Sequence, residues 1–182
     1  MQSTQKTIDV FLNPYEVVKF FGLREGMFIA DFGAGAGHFT TAMARKVGNS
    51  GEVNAIDIRQ EVLEAIRGYE ELEKLYQIET IRGDLEADGG SHLPAGSQDL
   101  VLCANILHIV QNKDAVLKEA HRVLKKGGRL IVIDWNINFA IGPAKDLRLS
   151  EDKARSLAEG VDFTFKKELD VASSHYALEF TK

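Results

Sequence analysis

Strand-like runs alternating with helix-like stretches predict an α/β fold, a mostly parallel sheet covered by helices on both faces. Three observations carry that expectation. Short apolar runs recur between segments with helical spacing. A glycine-rich turn directly follows the first of those runs. Near the C-terminus, two strand-like segments lie too close together for a parallel crossover, so they must pair as an antiparallel hairpin.

Asn13 before Pro14 reads as a helix start, a capping residue followed by proline at the first helical position. Val17, Val18 and Phe21 give that helix an apolar face, and its place before the first strand puts it across the end or side of the sheet. Met27 to Phe32 is the first strand, and Thr40 to Val47 the helix after it. The turn from Gly48 to Gly51 leads into a second strand, Val53 to Ile58. Gln60 to Ile66 is helical, with Val62, Leu63 and Ile66 on one face. Ile78 to Arg82 is a short third strand, and the apolar run Asp99 to Ala104 a fourth, covered on both sides. Asn112 caps the next helix, which carries Val116, Leu117, Ala120, Val123 and Leu124 and is expected to stop at Gly127 and Gly128. Arg129 to Asp134 is the fifth strand. A helix from about Ser150 to Glu159 then precedes the hairpin, Val161 to Leu169 and His175 to Phe180.

Length and composition narrow the function. The 182 residues fit one domain, expected as an N-terminal helical segment over the site (1–25) and a core (26–182). A formal net charge of −5 argues against a broad phosphate-gripping face. Lys125, Lys126 and Arg129 form a short basic cluster, read as a solvated helix end. Cys103 is the sole cysteine, which excludes an internal disulfide and disfavours a cysteine-based zinc site. The polar N-terminus has no signal-peptide core, and no apolar run approaches the ~18 residues of a membrane span. A soluble, cytoplasmic protein without a membrane span or a nucleic-acid partner is expected.

The turn from Asp31 to Gly37 carries the chemistry. Glycines allow a tight bend and close ligand approach, and the following helix start favours a negative group. Asp57 falls twenty residues after Gly37 at the end of strand two, where an acid can accept hydrogen bonds from both ribose hydroxyls. The spacing Gly33, Gly35, Gly37 places the third glycine one residue earlier than the dinucleotide fingerprint requires. Asp31 would repel a pyrophosphate, but it suits the amino group of a sulfonium amino acid.

On these residues the chain resembles the class I S-adenosylmethionine-dependent methyltransferases, in the branch that includes the ubiquinone/menaquinone-biosynthesis enzymes. The resemblance runs from about Val10 to the C-terminus, through Ala30 to Gly37, Asp57, Gly83-Asp84-Leu85, Asp99 to His108 and His121 to Trp135. It implies a Rossmann-like, doubly wound seven-stranded sheet with a reversed last strand, and S-adenosylmethionine as cofactor. The expected cofactor residues are Asp31, Phe32, Gly33, Ala34, Gly35, Gly37, Asp57, Ile58, Gly83, Asp84, Leu85 and Asn105. Asp84 is placed near the adenine amino group, with Leu85 and Ile58 beside the ring. The Asn/Asp-Pro-Pro-Tyr motif of base-modifying enzymes is absent after Asn105, and one cysteine cannot make an arsenic-methyltransferase site. In metal-dependent relatives the end of strand five, here Asp134 and Asn136, works with an acid after strand four; Asn105 stands there instead, so no metal is expected.

His108, three residues past Asn105, is the candidate catalytic base, against the plainer reading of a packing histidine. His38, His175 and Tyr176 read as structural, and Cys103 as a small buried hydrophobe. The expected function is methyl transfer to a small-molecule acceptor. The site would be covered by the N-terminal helix and the segment Asn136 to Lys145, or closed by a partner or a second copy. The alternatives are a protein or RNA acceptor, a non-catalytic cofactor-binding relative or partner subunit, and a nicotinamide oxidoreductase, which the glycine spacing and Asp31 disfavour.

Overall fold

A computed structural model describes residues 11–182; residues 1–10, the first part of the expected N-terminal segment, lie outside them. Seven strands form one sheet: β1 (Phe28–Phe32), β2 (Glu52–Asp57), β3 (Ile78–Arg82), β4 (Gln98–Ala104), β5 (Leu124–Trp135), β6 (Thr164–Glu168) and β7 (His175–Thr181). Their order is β3-β2-β1-β4-β5-β7-β6. β1 to β5 are mutually parallel, and β7 runs antiparallel to both β5 and β6. The alternating fold, the reversed strand and the C-terminal hairpin are all present as expected.

Helices cover both faces because the central strands are apolar on both. On one side α1 (Pro14–Val17), α2 (His38–Val47) and α3 (Gln60–Glu73) bury Val17, Met43 and Leu63 against Ile29 and Leu102. On the other, α4 (Lys113–Val123) and α5 (Glu151–Glu159) bury Leu117 and Ala158 against Phe32, Leu130 and Phe180. Asn13 caps α1, its side chain accepting from the Tyr15 amide at 3.1 Å, with Pro14 at the first helical position. That short helix continues as a 3-10 turn, Val18–Phe21, and lies on α2, where the Phe21 and Phe39 rings stack 6.3 Å apart.

Several boundaries differ from the sequence expectation, each for a local reason. α2 starts two residues earlier, at His38, because Gly37 in a left-handed conformation supplies the turn into it. α3 runs on to Glu73, seven residues past Ile66; its last turns are mostly exposed, so no apolar periodicity marks them. α4 ends at Val123, not at Gly127-Gly128, because Leu124 is already extended and pairs with Gln98. The two glycines sit within β5, where the register against β4 shifts between Gln98 and Leu100. The basic cluster therefore lies on a strand: Lys125 bridges Asp99 at 2.7 Å and Arg129 bridges Glu179 at 3.4 Å. β6 is shorter than expected, since Val161 and Phe163 pack into the core from the connecting turn.

The segment after β5 is held by one side chain. The buried Arg148 guanidinium donates to the carbonyls of Asn136, Phe139, Ile141 and Pro143 at 2.6–3.1 Å and lies over the Trp135 ring. Gly142 fits there because a Cβ would come within 2.6 Å of the Trp135 ring. Arg148→Met keeps the bulk and removes all four hydrogen bonds. Amide exchange across 138–142 is expected to speed up at least ~10-fold while exchange in β4 stays unchanged, measured by native-state hydrogen exchange.

Candidate functional site

Strand order reverses where β1 meets β4, and open α/β sheets bind ligands outside the carboxyl ends of the strands at that point. A cavity of about 540 Å³ opens there, within the usual size for a small-molecule site. It gathers nine of the expected cofactor residues. Gly33, Ala34 and Gly35 come from the turn after β1, Asp57 and Ile58 from the end of β2, Gly83, Asp84 and Leu85 from the loop after β3, and Asn105 from the loop after β4.

The other three stand behind that wall. Phe32 is fully buried in the core, and Gly37 caps α2 with φ +76° against Ile66. Asp31 is 2% exposed, and its Oδ2 accepts from the Thr40 hydroxyl at 2.6 Å. Burial pushes its carboxyl up to about 6; the Thr40 hydrogen bond opposes this and the nearby Asp57 charge adds to it.

The turn is fixed by β2. Gly33 and Ala34 both donate to the Ile56 carbonyl, at 2.8 and 3.0 Å. Gly33 has φ +75°, and a Cβ there would stand 2.5 Å from the Ile106 side chain. The Gly35 amide points at Asp57, donating to its Oδ2 at 3.1 Å. Arg59 grips the same carboxylate with its amide, Nε and Nη2 at 3.0–3.2 Å. Burial pushes Asp57 up, but the Arg59 and Gly35 hydrogen bonds together outweigh it and hold the carboxyl below the usual range. Arg59, Glu86, Ile106 and Ile109 also line the cavity and were not anticipated. The signal for Arg59 was its place two residues past the acid, facing the carboxylate it neutralises.

Asn105 is the strained member. Its φ is +55°, its amide donates to the Ile133 carbonyl, and its buried Oδ1 has no partner. Asparagine enters the left-handed region more readily than other non-glycine residues, and a buried acceptor without a partner is uncommon in a packed wall. Together with the open face over Gly35 and the acids Asp57 and Asp84, the cavity suits an adenosine group carrying an amino-acid tail.

His108 lies outside this cavity wall, next to Ile109. Its Nδ1 meets Asp134 Oδ1 at 2.7 Å, and its amide donates to Oδ2 at 3.2 Å. Asp134 is fully buried and also accepts from the Trp135 amide at 2.8 Å. A carboxylate only accepts, so Nδ1 is the donor in this contact. The Cys103 thiol is inert here: burial, then Asp31 and Asp134, push it well above its ordinary range. Among the described residues no helix is long and apolar enough to cross a membrane, and no group of three or more His, Cys, Asp or Glu is arranged to hold a metal ion.

The family described as "Methyltransferase domain" matches residues 23–172. The chain belongs to that family. Its fold is the Rossmann-like one of the class I S-adenosylmethionine-dependent methyltransferases, and its sequence is similar to the ubiquinone/menaquinone branch. It is 34% identical over 117 residues to the ubiquinone/menaquinone biosynthesis C-methyltransferase UbiE of Haemophilus ducreyi, covering 63% of this chain and 44% of that one. Against the demethylmenaquinone methyltransferase of Staphylococcus aureus the identity is 33% over 120 residues, 65% of this chain and 47% of that one. The chain thus spans less than half the length of these curated relatives. A solved S-adenosylmethionine-dependent methyltransferase from Aquifex aeolicus is 26% identical with a TM-score of 0.85, over 93% of this chain and 89% of that one. The [4+2]-cyclase SpnF, at 16% identity and TM-score 0.77 over 93% and 80% of the two chains, shares the fold.

Proposed function

We propose that this methyltransferase transfers a methyl group from S-adenosylmethionine to a small-molecule acceptor at the carboxyl ends of β4 and β5. The observation that carries the reading is the convergence of the Gly33–Gly35 turn, Asp57, Asp84 and Asn105 on one cavity at the switch point of the sheet. Bound S-adenosylmethionine supplies a methyl group already activated on a sulfonium.

The protein's part is binding, positioning and exclusion of water. Asp57 would accept from the ribose hydroxyls, and Ile58 and Leu85 would flank the adenine, with Asp84 at its amino group. Gly35 would let the ligand approach the backbone closely, Gly33, Ala34 and Gly83 would line its wall, and Asn105 would offer its orphaned carbonyl to the amino-acid tail. Asp31, Phe32 and Gly37 act from behind, through the charge and shape of the turn. His108, oriented by Asp134, takes a proton from acceptors that must lose one. Residues 26–182 work as one unit, with the segment 1–25 as part of its cover. In support, the Phe11 ring meets Phe139 edge-on at 6.3 Å, joining that segment to the loop after β5. Acidic net charge and the names of the quinone-pathway relatives favour a small molecule over RNA.

Titration calorimetry should show binding of S-adenosylmethionine and S-adenosylhomocysteine; heat with NAD alone would overturn the reading. A labelled-methyl screen of a whole-cell extract should put label in small molecules, and label confined to RNA or protein would count against the acceptor class. With a turned-over acceptor in hand, His108→Asn is expected to lower kcat at least ~100-fold and leave S-adenosylhomocysteine affinity within about twofold.

A further inference from the structure

Asp84 and Leu85 stand on a long loop, residues 83–97 between β3 and β4. A loop of that length with no helix or strand of its own needs ties to keep one shape. Here there are three. The first is backbone against backbone. A Cβ on Gly83 would overlap the Gly90 carbonyl, and a Cβ on Gly90 would overlap the Asp84 carbonyl. The obstructing atoms are main chain, so neither can swing aside as a side chain would, and only glycine permits the approach. The same Asp84 carbonyl accepts from the Ala87 amide at 3.0 Å, and the Ala87 carbonyl accepts from the Gly90 amide at 3.0 Å.

The other two ties run to α4. Glu86 donates its amide to Asp84 Oδ1 at 3.0 Å, and its own Oε2 accepts from the amide of Asn112, the residue that caps α4, at 2.6 Å. Further along the helix, Glu119 is 4% exposed and has no part in the methyl transfer described above. Its Oε1 accepts from both the amide and the hydroxyl of the fully buried Ser91, and its Oε2 accepts from Arg122 Nε at 2.7 Å. Arg122 also donates to the Leu93 carbonyl at 2.8 Å, and Ser91 Oγ accepts from the Leu93 amide at 3.2 Å. A buried carboxylate satisfied on both oxygens is a rigid fixture. Leu85 and Leu93 sink into the core beside Leu117 and Ala120 of the same helix. The place of Asp84 is therefore set from α4, through Glu119, Ser91 and Gly90, as much as from the end of β3.

We propose that Gly90, Ser91 and Glu119 are positioning residues for adenine recognition, holding the Asp84 carboxylate where the adenine amino group can donate to it. The proposal rests on the reading above, in which Asp84 meets that amino group. None of the three lines the cofactor cavity, so they act through the loop. A methyl group forced between Gly90 and the Asp84 carbonyl moves that backbone by on the order of 1 Å, enough to spoil a hydrogen bond whose useful range is a few tenths of an ångström. The turns after β1, β2 and β4, which supply Gly35, Asp57 and Asn105, lie outside this loop, so the ribose and the amino-acid tail keep their partners.

The test compares S-adenosylhomocysteine with its 6-desamino analogue, in which hydrogen replaces the adenine amino group. Both are titrated calorimetrically. The unaltered protein is expected to prefer the adenosyl ligand at least ~10-fold, the effect of one hydrogen bond to a charged group. In Gly90→Ala that preference should fall to about twofold or less, and in Ser91→Ala it should fall at least ~threefold. Affinity for the desamino analogue should stay within about threefold in both, which also shows that they fold. Ser91→Ala removes one hydroxyl and no backbone contact, so it decides the matter where Gly90→Ala fails to fold. A preference that survives in the folded variants, an equal loss for both ligands, or no preference in the unaltered protein overturns the proposal. Unaltered protein that binds neither ligand strikes at the methyltransferase reading itself and takes the proposal with it.

Discussion

Replacing Asp57 with alanine is expected to weaken S-adenosylmethionine binding at least ~100-fold, because hydrogen bonds to a charged group contribute about 1.5–3 kcal/mol each and the ribose would lose two. The same change leaves two protein groups without their acceptor. The Gly35 amide donates to Asp57 Oδ2, and the Arg59 guanidinium holds the same carboxylate from the other side. Gly35 sits at φ +53°, and among the described residues its amide has no other hydrogen-bond partner, so the turn should loosen as well as lose its ligand contact. Arg59→Ala separates the two effects. It removes the partner that holds the Asp57 carboxyl low, yet leaves the carboxylate and the Gly35 contact in place. A loss of less than about tenfold is expected there. Calorimetric titration of the two variants side by side checks the pair. If Arg59→Ala loses as much affinity as Asp57→Ala, the guanidinium is a ligand group and Asp57 merely its holder.

Much of this architecture was legible in the sequence, and the reasons differ from residue to residue. The strand ends were readable where the runs stop at a charged or polar residue, as at Arg82 and at Asn105 after Ala104. The hairpin was readable because six residues between Glu168 and His175 cannot carry a crossover. What failed was punctuation by glycine. Gly127 and Gly128 look like a helix stop, but Leu124 is drawn into the sheet by Gln98 three residues earlier, so a tertiary pairing overrides the local signal. The site divides in the same way. The cofactor loops follow a spacing along the chain, so nine of their residues could be named in advance. Arg148 and the His108–Asp134 pair depend on groups 12 and 26 residues apart in sequence meeting across a loop, and no periodicity records that. The unpartnered Tyr176 hydroxyl and His175 Nε2 were hidden for a related reason. Residues in a hairpin read as structural until the missing partners of their polar atoms are seen.

Asp31→Asn is expected to stabilise the unliganded protein at pH 7 by up to about 3 kcal/mol, while weakening its grip on S-adenosylmethionine. Burial raises the Asp31 carboxyl from its ordinary 3.8 to about 6 in the folded chain, and each pKa unit corresponds to about 1.36 kcal/mol. Between those two values the folded protein holds a proton that the unfolded chain has released, so stability falls as pH rises through the window. Above about pH 6 the penalty is fully present, and below 3.8 it is gone. Asparagine carries no such penalty, and its side-chain oxygen can still accept from the Thr40 hydroxyl, which now donates to Asp31 at 2.6 Å. The gap between variant and wild type should therefore be largest at pH 7 and above and shrink towards pH 4, measured by urea denaturation across that range. A constant gap would place the effect in packing rather than in charge. Ligand binding should move the other way. A carboxylate kept ionised in a dry site at neutral pH is costly alone and favourable beside a cation. The positively charged amino group of S-adenosylmethionine would relieve Asp31 even from behind the turn. An unliganded protein that gains stability while its affinity falls is the signature of a charge held in reserve for a cationic ligand. If affinity is unchanged in Asp31→Asn, the aspartate belongs to the turn alone, and the one-residue-early glycine must carry the choice of a sulfonium over a dinucleotide by shape.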